Sequence, residues 1–284
     1  MPELPEVEVT AAALRPALVG GRLAAWSFSG KRLRHPFPKR ALHQLIGEPV
    51  VSVGRRAKYV LLEFPSGWLA IHLGMSGSLQ CHVHRPAPEP HDHVRLTFDR
   101  SGHEATAVFH DPRRFGSVQW IARADLGEQD IGTRLGSSAR GCEPLDPQCN
   151  GAALYARSRG RKTPIKQWLM AGDAVVGVGN IYACEALFAA EIHPRRKVGT
   201  VSLAKFNDLV AHLRRILSEA IAQGGSTISD FIGPDGRAGR YGQAHRVYGQ
   251  EGAECPRCGP QSGFRIRRIV QQQRSTFYCH GCQR

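Results

Sequence analysis

In the first third of the chain the apolar residues fall in short runs that are β-branched or aromatic: Val50–Val53, Tyr59–Phe64, Trp68–Leu73 and Val94–Phe98. Each is bounded by Gly, Pro or Asp, which predicts strands. One helix is expected earlier, from about Val7 to Leu18, ending before Gly20-Gly21. Pro and His crowd the stretch from His82 to His93, which predicts a loop, and a further strand pair is expected to flank Asp111-Pro112. From Gly127 to Gly151 the pattern fades while Gly, Pro and Asp become dense, which places a domain boundary there.

Helical spacing then takes over. Lys166–Met170 starts one helix. Ile181, Cys184, Phe188 and Ile192 share a face of another, which must stop before Pro194. Ser202 is placed to cap a long helix with Leu203, Phe206, Val210, Leu213, Leu217 and Ile221 inward, ended by Gly224-Gly225. Residues 229–252 are Gly-rich and predict a loop, and no internal repeat is visible.

Composition adds a partner. Lys and Arg number 38 against 24 acids, a net charge of +14 over 284 residues, so a polyanion leads the candidates. Glu3, Glu6 and Glu8 occupy the place of a secretory n-region. The most apolar stretch, from Ala174 to Ala190, holds Asn180, Glu185 and two glycines, a poor membrane span. The expected location is cytoplasmic.

Of the eight cysteines, Cys81, Cys142, Cys149 and Cys184 are scattered and expected to be plain thiols. Cys255-Pro-Arg-Cys258 and Cys279-His-Gly-Cys282 form two Cys-x2-Cys knuckles, 20 residues apart. Four thiolates from two tight turns make a closed tetrahedral shell, which suits structural zinc. A redox pair or a disulfide-stapled hairpin is the alternative. Arg265, Arg267, Arg268 and Arg274 lie between the knuckles with no acid, a footprint for phosphate or simply a solvated basic face.

Six motifs recur in one order. They are Met1-Pro-Glu-Leu-Pro-Glu-Val-Glu8, Arg55-Arg-Ala-Lys58, His72-Leu-Gly-Met-Ser-Gly77, Asp111-Pro-Arg-Arg-Phe-Gly116, Gly177-Val-Gly-Asn-Ile-Tyr182 and Arg274-Ser-Thr-Phe-Tyr-Cys279. In this the chain resembles the formamidopyrimidine-DNA glycosylases from residue 2 to residue 282. Leu4 favours that branch over the endonuclease VIII branch, which typically begins Pro-Glu-Gly-Pro-Glu. The resemblance implies an α+β multidomain fold: an N-terminal β-sandwich over 1–135, a helix–two-turn–helix domain over 150–240 and a four-cysteine zinc finger over 245–284. It implies a monomer that acts on damaged double-stranded DNA, excising oxidised purines opposite cytosine and then cutting the strand, with one zinc ion on Cys255, Cys258, Cys279 and Cys282.

The same resemblance assigns roles. Pro2, freed of Met1, is the amine nucleophile. An α-amine has a pKa near 8, so a useful fraction is neutral at pH 7, and a secondary amine gives a charged iminium directly. Glu3 is the catalytic acid, Lys58 the proton donor for β-elimination and Arg274 the δ-elimination residue. Glu6 either supports this site or simply matches the helix N-terminal charge. His91, Arg113, Arg161 and Asn180 hold phosphates, and Asn180 opens a helix, a natural anion site. Arg161 stands where relatives often have lysine. Met75, Arg113 and Phe115 fill the gap left by a flipped nucleotide, core packing being the alternative for Met75 and Phe115. The active site is expected in a cleft between two domains. Two departures from the family are a spacer between the knuckles about four residues longer, and an arginine-bearing loop from Ser229 to Gly242 that does not fix the lesion. The competing readings are the same chemistry on oxidised pyrimidines and a non-catalytic binder of damaged DNA, which would have lost Pro2 or Glu3.

Overall fold

A computed structural model describes residues 1–83, 86–127, 129–136, 139–226 and 239–284. They divide into two compact units. The first is Met1–Arg134 with Gln223–Arg240, and the second is Leu135–Ala222 with Tyr241–Arg284.

The first unit opens with α1 (Leu4–Leu18). The helix starts three residues before the apolar pattern suggests, because Glu3 and Glu6 form a capping box that satisfies amides of the first turn. Leu4, Val7, Ala11, Leu14 and Leu18 make its buried stripe. Then follow β1 (Arg22–Phe28), α2 (Lys39–Gln44), β2 (Ser52–Arg56), β3 (Tyr59–Phe64), β4 (Gly67–His72), β5 (Ser78–His82), β6 (Asp92–Arg100), β7 (His103–His110), β8 (Ser117–Ala122), α3 (Arg123–Leu126) and α4 (Ile131–Arg134). Two antiparallel four-stranded sheets result, in the orders β1-β6-β7-β5 and β2-β3-β4-β8. Residues of both sheets and of α1 share one core: Leu14 and Leu18 with Val60, Leu62 and Ile71 of one sheet and Leu96, Phe98 and Phe109 of the other. The strands flanking Asp111-Pro112 are not a pair. β7 and β8 belong to different sheets, so the turn between them hands the chain across the core.

In the second unit, α5 (Gly151–Ser158) is capped by Asn150, whose side chain accepts from the Ala153 amide at 2.9 Å. It is followed by α6 (Ile165–Ala171), α7 (Asn180–Ala189), α8 (Leu203–Ala222) and the hairpin β9 (Ile266–Gln271) and β10 (Arg274–Cys279). Ser202 caps α8 through the Lys205 amide at 3.3 Å. Phe206, Val210, Leu213 and Leu217 are inward as expected, but Leu203, the first helical residue, is 42% exposed, and Ile221, next to the last, is only half-buried.

Cys142 and Cys149 are not plain thiols: they form a disulfide. The intervening loop turns back on itself, bringing their Cα atoms to 5.3 Å, within bonding range. Arg214 clasps this loop by donating to the carbonyls of Pro144, Asp146 and Cys149. Cys81 and Cys184 take part in no disulfide among the described residues. Among the described residues no helix is long and apolar enough to cross a membrane.

Candidate active site and nucleic-acid interface

In the first unit, Pro2 and Glu3 are buried where the chain enters α1. Glu6 is fully buried. One of its carboxylate oxygens accepts from the Glu3 amide at 2.8 Å and the other from the Ser226 amide at 2.7 Å. Glu6 therefore does more than match the helix charge, since it ties the residue beside Pro2 to a segment 220 residues away.

Lys58 lies half-buried in the turn between β2 and β3 rather than on the strand itself. Beside it is a motif residue to which the sequence assigns no role. His72 ends β4, and its Nδ1 accepts from the Gly74 amide at 3.0 Å. Burial first, then the charges of Lys58, Arg34 and His35, push its pKa from 6.5 down to about 4. The unfolded chain thus takes the proton before the folded one. Stability contributed by neutral His72 is full above pH 6.5 and is lost as pH falls towards 4, about 3 kcal/mol in all. Denaturation of a Trp168→Phe chain, whose remaining tryptophans Trp26, Trp68 and Trp120 all lie in the first unit, should show this acid loss with His72 in place and a flatter pH dependence when His72→Gln is added. Equal slopes would remove His72 as its cause.

Two neighbouring turns each carry an exposed apolar residue. Met75 is 42% exposed and Phe115 48%, so neither is packed in the core. The Arg113 guanidinium lies 4.9 Å over the Phe115 ring. The turns touch through backbone: Gly74 has φ +72°, and a Cβ there would come within 2.5 Å of the Gly116 nitrogen. His91 is exposed, also with positive φ (74°), and sits edge-on to His110 with ring centres 5.9 Å apart.

In the second unit, Asn180 is the first residue of α7, and its side chain is already engaged. Its Nδ2 donates to the Ser275 carbonyl at 3.0 Å and its Oδ1 accepts from Lys166 Nζ at 2.6 Å. Lys166, 1% exposed, also donates to Thr276 Oγ1 at 2.5 Å. Nothing in the residue pattern marks this buried cation, which reads as one more polar position in α6. The network fixes β10 immediately after Arg274, which is exposed and follows the turn residues Gln272 and Gln273, both with positive φ. Arg161 stands apart, exposed after α5, with Nε donating to the Arg157 carbonyl at 3.0 Å. Residues 229–238, most of the arginine-bearing loop from Ser229 to Gly242, lie outside the described residues.

The four knuckle cysteines converge, with all their Sγ atoms within 4.8 Å of one another. Cys255 and Cys282 are 3.9 Å apart, Cys258 and Cys279 3.8 Å. A regular tetrahedron with metal–sulfur bonds of about 2.3 Å has edges of about 3.8 Å, so the set fits a closed four-sulfur metal site. The Cys258 and Gly281 amides approach the sulfurs of Cys255 and Cys279 at 3.4 Å. The hairpin is not an island. Cys255, Ile266, Phe277 and Cys279 pack with Cys184 and Phe188 of α7. The buried carboxylate of Glu185 accepts from the amides of Arg246, Val247 and Tyr248 at 2.8–3.0 Å.

Residues 1–118 match the sequence profile of the Formamidopyrimidine-DNA glycosylase N-terminal domain, and residues 140–232 that of the Formamidopyrimidine-DNA glycosylase H2TH domain. The chain belongs to the formamidopyrimidine-DNA glycosylase family. A relative named Formamidopyrimidine-DNA glycosylase from Alkalilimnicola ehrlichii is 46% identical, and one from Aromatoleum aromaticum 47%, each with both chains covered in full. Among solved structures, a Lactococcus lactis FPG mutant in complex with Fapy-dG-containing DNA superposes with a TM-score of 0.87 at 27% identity, over 100% of both chains. MutM in complex with carbocyclic 8-oxo-G-containing DNA gives 0.85 at 28% identity, also over 100% of both chains. Membership of this glycosylase family gives the fold: an N-terminal domain of sheets and helix, a helix–two-turn–helix domain and a C-terminal four-cysteine cluster.

Proposed function

We propose that the chain is a bifunctional DNA glycosylase/AP lyase of base excision repair, acting as a monomer inside the cell on double-stranded DNA with oxidised purines, 8-oxoguanine and formamidopyrimidines. The observation that carries the chemistry is the buried Pro2–Glu3 pair held by Glu6. Family membership supplies the reaction.

In this reading the Pro2 nitrogen, with Met1 removed, attacks the sugar C1′. The bond from C1′ to the base breaks, the base leaves with its electron pair, and the sugar ring opens as its oxygen takes a proton from Glu3. The covalent product is an iminium. Loss of a proton next to it expels the 3′ phosphate with Lys58 as proton donor, and a second elimination, assisted by Arg274, expels the 5′ phosphate. Met75, Arg113 and Phe115 occupy the space left by the extruded nucleotide. Their exposure in the free protein suits that role better than core packing does. His91, Arg113, Arg161 and Asn180 hold the backbone, aided by the net charge of +14. Asn180 does so as a pre-oriented amide, already bonded to Lys166 and β10.

Cys255, Cys258, Cys279 and Cys282 would hold one zinc ion. With four sulfurs and no open position it would stabilise the hairpin and take no part in the reaction.

The lesion class is tested by comparing excision of 8-oxoguanine opposite cytosine with that of thymine glycol in matched duplexes. The purine should be released at least about tenfold faster. Preference for thymine glycol would reassign the substrate to oxidised pyrimidines.

A further inference from the structure

We propose that Asp111 is a positioning residue that sets the register between the two turns that enter the duplex. The inference rests on the reading of Met75, Arg113 and Phe115 as the groups that replace a flipped nucleotide. Asp111 is fully buried, and its carboxylate bonds to their turns rather than to their side chains. Its Oδ1 accepts from Ser76 Oγ at 3.1 Å and from the Arg113 amide at 3.3 Å, and its Oδ2 accepts from the Gly116 amide at 2.8 Å. One carboxylate thus holds the residue after Met75, the backbone of Arg113 and the residue after Phe115.

The main chain of Asp111 extends the hub. Its amide donates to the His91 carbonyl at 3.0 Å. Its carbonyl accepts from the Arg114 amide at 3.2 Å and lies 3.0 Å from His93 Nε2, whose Nδ1 is 2.9 Å from Ser29 Oγ. The two wedge turns and the His91 loop therefore meet on one residue.

The chemistry demands a carboxylate. The three groups that meet the side chain are all donors, and only a carboxylate offers acceptors on both oxygens. In asparagine the NH2 would confront the Gly116 N–H, leaving a buried donor unpaired, or, if flipped, would confront Ser76 and Arg113. The tips do not register each other, because Met75 and Phe115 project into solvent, and at Gly74 the turns meet through backbone. An entropic advantage follows: the tethers hold the wedge in its inserting geometry before DNA arrives.

The test uses the full metal-loaded chain and duplexes carrying 2-aminopurine beside the lesion, whose fluorescence rises when the stack opens. Asp111→Asn should lose most of that rise and slow 8-oxoguanine excision up to about 100-fold. Borohydride trapping on a single-stranded abasic oligonucleotide, where no base is extruded, should stay near wild type. Ser76→Ala, which cuts only the tether to the Met75 turn, should show the same pattern more weakly. Met75→Ala serves as the control for the underlying reading. A wild-type fluorescence rise in Asp111→Asn overturns the proposal. So does a wild-type rise in Ser76→Ala, and this second variant decides the matter if Asp111→Asn does not fold. If Met75→Ala itself leaves the rise unchanged, the wedge reading fails, and the proposal with it.

Discussion

Borohydride added while the wild-type chain turns over an 8-oxoguanine duplex should leave a covalent protein–DNA adduct whose linkage maps to Pro2. The iminium is the only intermediate in the proposed path with a reducible carbon–nitrogen double bond, so trapping reports the nucleophile directly. Pro2→Gly keeps an α-amine but loses the secondary amine and the ring that is buried beside Glu3. A displaced amine costs about 100-fold or more, and excision should fall accordingly. Glu3→Gln removes the proton source and should slow base release by about 10²–10⁴-fold. A chain with Met1 retained should form no adduct, because its Pro2 nitrogen is an amide. Wild-type adduct yield from that blocked chain, or none from the trimmed one, would falsify Pro2 as the nucleophile.

The second large effect is expected at the cysteines. Structural zinc contributes on the order of 10–16 kcal/mol in small finger peptides, more than most domains have in total stability. Cys258→Ser should therefore lower zinc content from one ion per chain towards none and release the hairpin. Arg265, Arg267, Arg268 and Arg274 would no longer be held in place. DNA binding should weaken at least about 100-fold, and the salt dependence should flatten by about 0.9 in slope for each phosphate that is no longer neutralised. The damage should not stop at the hairpin, because Cys255 and Cys279 share a core with Cys184 and Phe188 of α7. Calorimetry should show the second unit melting earlier, while in a Trp168→Phe background the fluorescence of Trp26, Trp68 and Trp120, all in the first unit, keeps its transition. Zinc retained at one per chain would remove Cys258 from the ligand set, and tight binding after chelation would remove metal from the account.

The strands and helices with strong periodicity are legible because burial imposes the pattern that a reader sees. β3 runs Tyr59–Phe64 in both sequence and structure, and α8 follows its apolar stripe apart from Leu203 and Ile221 at its two ends. What escapes is set by polar partners. α1 begins early because Glu3 and Glu6 cap it, and a glutamate is a weak N-cap signal. β1 is half-exposed along most of its length and offers no clear alternation. The Cys142–Cys149 bond depends on a local reversal that scattered spacing conceals. The candidate site shows the same division. Motifs single out Pro2, Glu3, Lys58 and Arg274, and they include Asp111 and His72 without giving them a task; the supporting tasks of those two in the first unit, and of Lys166 and Glu185 in the second, are recognisable only by their hydrogen bonds.

The bond from Ser226 to Glu6 has a consequence for synthesis. It joins positions 220 apart, so the start of α1 gains this anchor only after about four-fifths of the chain exists. Until then Glu6 lacks the Ser226 amide, and the closing loop is among the longest that the chain can make. At roughly 5–20 residues per second, a ribosome needs about 11 to 45 seconds to reach residue 226. Throughout that interval the nascent chain carries the groups proposed for attack without the fastening that sets them, and the order of translation itself delays the completed site.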